Sequence, residues 1–324
     1  MGIELKLKYK MNDKIIKLFD ITFVDNNINN CIMTINNKEK EIEAFYYCKE
    51  NMENELEIKL NIISKVIDLS KMFLKCSDLL SIEITEGFDI IEIFDNSDAN
   101  FMNSMFKGCT SLISLPDISK FDISNVINMS SMFSNCSSLQ YLPDISNWNT
   151  SKVTDIKKMF KNCKNLKSLP DISKWNVSKV EDISGLFFGC KSLTFLPNIS
   201  TWNTTNIKNM SDLFHGCISL LKIFDISKWN TENVTNMSNL FSGCSSLNYL
   251  PDFSKCNTSK VHDVSGLFEG CVSLRYFPDI SKLDIRKMIT IHNAFNNCIN
   301  CLNVPDEQDL YILYCKLNGY GEFD

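Results

Sequence analysis

Cysteine is the residue type in this sequence with the most chemistry to offer, and its spacing is regular. Cys109, Cys136, Cys163, Cys190, Cys217, Cys244, Cys271 and Cys298 follow one another at steps of 27, and Cys76 precedes them by 33. Thiols held one above another could bridge as disulfides or hold a soft metal. They could equally pack as small apolar groups, and the Phe and Leu residues around them favour a reduced, buried ladder. Cys298 and Cys301 form a C-x-x-C pair. Zinc would want a second such pair, which the sequence lacks, and Cys301 stands in the column of Leu247 and Leu274, which points it inward.

Carboxylates repeat on the same interval. Asp117, Asp144, Asp171, Asp225, Asp252, Asp279 and Asp306 form a column, with Asn198 in the remaining place. Coils about 5 Å apart would set neighbouring charges against each other by about 0.8 kcal/mol in water. Two readings offset this. Each Asp can accept a turn N–H from the residue two places on, helped by Lys120, Lys174, Lys228, Lys255 and Lys282. A calcium stripe is the alternative, and it would need several oxygens to converge. The three histidines, His215, His262 and His292, occupy different places in the repeat. No nucleophile–His–acid arrangement, paired-His spacing or Gly-rich phosphate loop is present, so the expectation is a protein that is not an enzyme and carries no cofactor.

All these columns belong to one tandem repeat. MFSNCSSLQYLPDISNWNTSKVTDIK begins at Met132 and MFKNCKNLKSLPDISKWNVSKVEDIS at Met159. Phe106, Phe133, Phe160, Phe187, Phe214, Phe241, Phe268 and Phe295 keep the same step, as do Trp148, Trp175, Trp202 and Trp229. Every proline lies in a single column, from Pro116 to Pro305, where Phe224 is the one replacement. The longer first interval puts about six extra residues within 85–100. Within a unit, Val153, Ile156, Met159, Phe160 and Cys163 fall at offsets of one helical face, with a cap at Asn149–Ser151 and Asp155 in the first turn. A short strand through Leu166 and Leu169 should end near Pro170, because proline cannot donate to a ladder. A lone unit of this kind cannot bury its apolar side, whereas stacked neighbours make a continuous core.

One outward column varies. Ser114, Tyr141, Ser168, Phe195, Lys222, Tyr249 and Tyr276 stand two residues before the proline column, next to inward-pointing leucines such as Leu142, Leu196 and Leu250. Exposed Tyr141, Phe195, Tyr249 and Tyr276 suit a protein partner. Ordinary packing between coils is the other reading.

The ends fall outside the repeat. Leu5, Leu7 and Tyr9, and again Leu56, Ile58, Leu60 and Ile62, alternate with polar residues as half-buried strands, with two more expected at Cys31–Ile35 and 41–46. The division expected is a β-rich capping domain over 1–61, the repeats over 62–304, and a C-terminal cap over 305–324 that carries Leu310, Ile312, Leu313 and Leu317. The 1–61 segment could also be a binding module in its own right.

The unit (M/L)F-x-x-C-x-S-L-x-x-L-P-D-I-S-x-W-N-T-S-x-V-x-D-(M/I)-S resembles the BspA-like leucine-rich-repeat proteins, in particular their mycoplasma and protist type, over about three quarters of the chain. The resemblance implies a right-handed leucine-rich-repeat solenoid of about nine coils, with parallel short strands, short helices and the β-rich N-terminal cap. Members are described as surface proteins, adhesins or host-interaction factors and are not known for catalysis. Some protist relatives begin with a β-rich segment, as this chain does.

The chain carries 33 Lys and Arg against 39 Asp and Glu, a formal net charge of -6, which argues against a nucleic-acid partner. Its start lacks a signal-peptide core, and Lys6 stands where a myristoylation motif wants Ser or Thr. No segment is apolar for long enough to insert in a membrane. The expectation is a cytoplasmic, non-catalytic interaction or scaffold protein with a protein partner or self-assembly. A cell-surface adhesin is the alternative.

Overall fold

The computed structural model describes residues 3–48, 54–64, 68–84, 101–250, 253, 255–276 and 290–301. The expected insertion within 85–100 and the C-terminal cap lie outside them.

Period-two alternation builds the N-terminal sheet. Strand β1 (Ile3–Lys10) pairs antiparallel with β6 (Glu55–Ile62), setting Leu5 opposite Leu60 and Leu7 opposite Ile58. These four leucine and isoleucine side chains are buried, so a slip of one residue would turn them all to solvent. β3 (Cys31–Ile35) pairs with β6 and with β4 (Lys38–Glu41), while β2 (Ile15–Lys17) pairs with β5 (Phe45–Tyr47). The strand expected at 41–46 is thus divided between the exposed end of β4 and the start of β5. Between β2 and β3 lies a helix that the periodicity did not reveal, α1 (Ile21–Asn27), capped by Asp20, whose side chain accepts from the Thr22 N–H at 3.2 Å. Ile21, Thr22 and Val24 are β-branched and disguise it.

The sheet does not stop at the repeat. β7 (Leu79–Ile84), which follows the first ladder cysteine, pairs with the free side of β1, giving the order β4-β3-β6-β1-β7.

From residue 101 onward the chain stacks on itself. Parallel bridges join Phe101, Asn128, Asp155, Asp182, Asn209, Asn236, Asp263 and Thr290 in succession, each 27 residues beyond the last. The Phe column forms a pile of parallel rings from Phe73 to Phe268, with centroids 5.5–5.9 Å apart and planes within 2–10°. Offset pairs at this spacing are worth about 0.5–1.5 kcal/mol each beyond the area they hide.

The short helix expected over Val153–Cys163 is not formed, although Val153, Ile156, Met159, Phe160 and Cys163 are buried as its apolar face required. Among the described repeat residues the one helical turn is a 3-10 turn at Ile199–Thr201. Tandem β-turns take the helix's place. Met159 N–H donates back to the Ile156 carbonyl (3.3 Å), Lys161 to Lys158 (3.1 Å) and Cys163 to Phe160 (3.1 Å). The N–H groups in between cross to the next coil: Lys158 to Ser184 (2.9 Å), Phe160 to Leu186 (3.0 Å) and Asn162 to Phe188 (2.6 Å). An α-helix would spend every N–H internally. Here about half of them hold the coils together, and that competition removes the helix. The first and last of these turns place their third residue in the left-handed region, Lys158 at φ 57° and Asn162 at φ 58°, positions that Gly185 and Gly189 occupy one coil later.

The strand expected to end at Pro170 is likewise reduced, to single links such as the Lys167 N–H on the Gln140 carbonyl at 3.0 Å. Leu142, Leu169 and Leu196 are half-buried against the core, whereas Leu250 is fully buried.

Side chains tie the coils by one rule. Trp148, Trp175, Trp202 and Trp229 each donate Nε1–H to the carbonyl 30 residues back, at 3.0–3.1 Å. Thr150, Thr204 and Thr231 reach forward to the carbonyls of Asn176, Asn230 and Asn257. Among the described residues no buried side-chain nitrogen or oxygen lacks a partner.

Candidate partner-binding face

The cysteine column proves to be a hydrogen-bond ladder. Cys136, Cys163, Cys190, Cys217, Cys244, Cys271 and Cys298 each direct Sγ at the carbonyl oxygen of the Phe 30 residues earlier, at 3.1–3.2 Å. The described cysteines are free thiols. Burial pushes Cys163 and Cys217 up to about 12, far from the range in which a thiolate attacks or binds metal at neutral pH. Cys301 is half-buried against the core, in keeping with an inward-leaning column.

The aspartates take the local reading. Asp117, Asp144 and Asp171 each accept the N–H of the Ser two residues on, at 3.0 Å, and Asp225 does so at 2.8 Å. These bonds from Ser119, Ser146, Ser173 and Ser227 lower the carboxyl pKa values, with Lys120, Lys174, Lys228 and Lys255 adding to the effect. Asp252, Asp279 and Asp306 lie outside the described residues. Among the described residues no three His, Cys, Asp or Glu side chains gather to hold a metal ion. Of the histidines, His215 bonds Asp212 at 3.1 Å and stacks on Phe188 at 4.6 Å, with Lys161 Nζ 4.2 Å from the Phe188 ring centroid.

The aromatic column stands in contrast to everything inside. Tyr141 is 56% exposed, Phe195 51%, Tyr249 65% and Tyr276 62%, whereas the ring of Phe133 or Phe160 is fully covered. Lys167 Nζ lies 5.6 Å from the Tyr141 ring centroid, one coil on. Below Tyr276 an open depression of about 1120 Å³ crosses several coils and is lined by Leu221, Asn248 and Arg275 among others. Sequence reading by single columns missed the exposed Ile113 and Leu221, which sit one place before the aromatic column. Reading the pair of columns together would have found them, since Ile113, Lys167, Leu221 and Arg275 share the same step.

A parallel stack of 27-residue coils, with its recurrent Phe and Trp columns hidden and one variable aromatic column outside, defines a tandem-repeat protein. The chain belongs to the family described as "Mycoplasma protein of unknown function, DUF285", which matches it over residues 40–142, 68–195 and 184–306. The BspA-like resemblance of the repeat is thereby borne out. No curated protein sequence matches the chain. Two solved structures are similar: a leucine-rich repeat protein from Bacteroides ovatus (17% identity, 76% of this chain and 70% of that one, TM-score 0.30) and a leucine rich cell surface protein from Faecalibacterium prausnitzii (14% identity, 94% and 97%, TM-score 0.30). No helix among the described residues is long and apolar enough to cross a membrane.

Proposed function

We propose that this chain is a non-catalytic interaction or scaffold protein that binds a protein partner through Tyr141, Phe195, Tyr249 and Tyr276. The observation that carries the reading is their exposure, between 51% and 65%, in a repeat that buries its other ring columns. Large, stiff side chains supply contact area at low rotamer cost, and they dominate the energy of many interfaces. The surface is borne by a right-handed solenoid of about nine coils, with the 1–61 segment as its N-terminal cap. Its free thiols suit a reducing compartment, so the cytoplasm is the proposed location. Fractionation with surface protease shaving separates this from display as an adhesin.

The test replaces Tyr249 and Tyr276 by Ser and measures partner capture from the native source beside thermal unfolding. Lost capture with unchanged unfolding supports the proposal. Unchanged capture removes it.

A further inference from the structure

The face that carries the aromatic column has one sign of charge. It is built from the segments between the ladder cysteines and the proline column, 110–115, 137–142, 164–169, 191–196, 218–223, 245–250 and 272–276. Backbone bonds weld these segments together: Ser192 N–H to Lys164 O (3.1 Å), Leu221 to Thr194 (3.2 Å) and Ser246 to Ile218 (3.1 Å). Lys164, Lys167, Lys191, Lys222 and Arg275 all lie in them and all are exposed, and the segments contain no Asp or Glu. Chance would favour the opposite, because acids outnumber bases 39 to 33 in the chain. Among the described residues none of the five cations has a carboxylate partner. Lysines elsewhere do, such as Lys208 with Glu181 at 2.8 Å and Lys157 with Asp155 at 3.2 Å. Just past the prolines the sign reverses at Asp117, Asp144, Asp171 and Asp225, whose carboxylates are engaged by serine N–H groups.

Resting on the protein-binding reading above, we propose that the partner element is an acidic peptide, extended across the coils, whose carboxylates meet these five cations while apolar side chains settle beside the exposed rings. Dimensions fit. Tyr141 and Tyr276 are five repeats apart, and ring spacings of 5.5–5.9 Å along the stack put the two ends about 28 Å apart, a span that roughly eight or nine extended residues cross. Unpaired surface cations give such a ligand its orientation and much of its salt dependence. The acidic border beyond the prolines repels it and confines it to the strip.

The experiment is fluorescence anisotropy on the full chain with a short fluorescein-labelled peptide of alternating Glu and Leu. Its Gln-for-Glu counterpart and a labelled oligothymidylate serve as comparison probes. The expected result is preferential binding of the acidic peptide, weakening as salt is raised, and falling about tenfold or more in a variant with Lys164→Gln, Lys167→Gln, Lys191→Gln, Lys222→Gln and Arg275→Gln. Circular dichroism melting of that variant confirms that it folds, and if it does not, the Lys164→Gln/Lys167→Gln and Lys222→Gln/Arg275→Gln pairs replace it. Equal binding of the Gln peptide, no binding of either peptide, or stronger binding of the oligothymidylate overturns the proposal. Capture of a protein partner that depends on Tyr249 and Tyr276 but not on the cations would leave the protein-binding reading standing while removing the acidic ligand.

Discussion

The thiol of Cys163 points at the main-chain oxygen of Phe133, 3.1 Å away and one coil back, and that oxygen already accepts the N–H of Cys136. The ladder cysteine is therefore a small apolar plug and a donor at once, which no other side chain of its volume supplies.

Removing that donor has a defined cost. Cys163→Ala takes away the sulfur's packing and one of two bonds to Phe133, and it should destabilise the chain by about 1–2 kcal/mol. Urea unfolding followed by tryptophan fluorescence measures it, and an effect below about 0.3 kcal/mol would show the thiol to be a spectator.

Alkaline pH should weaken the fold. Cys163 and Cys217 are held at about 12 by burial, above the ordinary thiol value that the unfolded chain adopts. Below that ordinary value both states keep the proton and the stabilisation is whole. As pH climbs past about 9 the unfolded chain ionises first, so stability drains away until the native pKa is passed, by roughly 1 kcal/mol per thiol between pH 9 and pH 10. Urea midpoints at pH 8, 9 and 10 report this, and Cys163→Val should lessen the loss by one thiol's share, about 1 kcal/mol between pH 9 and pH 10.

Left-handed turn positions should reject a branched side chain. Gly189 has φ +68°, and a Cβ there would run into the Oδ1 of Asn162. Gly189→Val is expected to cost about 2 kcal/mol or more, and Gly189→Asn clearly less, because Asn162 already bonds Asn135 side by side at the same place in the turn. Melting temperatures of the two variants decide it.

The indole ladder predicts a loss from a small change. Trp175→Phe keeps most of the ring but removes one of the two bonds that the Ile145 carbonyl accepts, the Nε1–H at 3.1 Å, and leaves the Trp148 N–H at 3.3 Å, for about 0.5–1.5 kcal/mol. A stability equal to the parent would mean that the bond contributes nothing net.

How far the sequence speaks for itself follows from these residues. Columns of Phe, Cys and Trp announce the stack and its core, because a stacked coil demands the same apolar side chain at the same depth every time. Backbone conformation was less legible. Offsets of 0, 3, 6, 7 and 10 suit a helix and a run of tight turns alike, since both return to one side every third or fourth residue. Gly185, Gly189, Gly216, Gly243, Gly266 and Gly270, set within the apolar run, were the signal against a helix. The exposed face was read in part: Tyr249 stands out by its bulk, whereas the lone sign of Lys164, Lys191 and Arg275 emerges only when coils are laid over one another. α1 stayed hidden because a seven-residue helix shows barely two periods.

The start of the stack carries a consequence for synthesis. Phe19 lies 5.7 Å from Phe73 at the end of the ring pile, and Leu18 offers its carbonyl to Cys76 at 3.2 Å, as Phe133 does to Cys163. The N-terminal unit thus impersonates a preceding coil. A nascent chain leaving the ribosome carries its own seed, and each newly made thiol and indole finds its acceptor already in place behind it. Shortening the array by whole units should spare this order of assembly, whereas loss of the seed would leave the first coil without a mould.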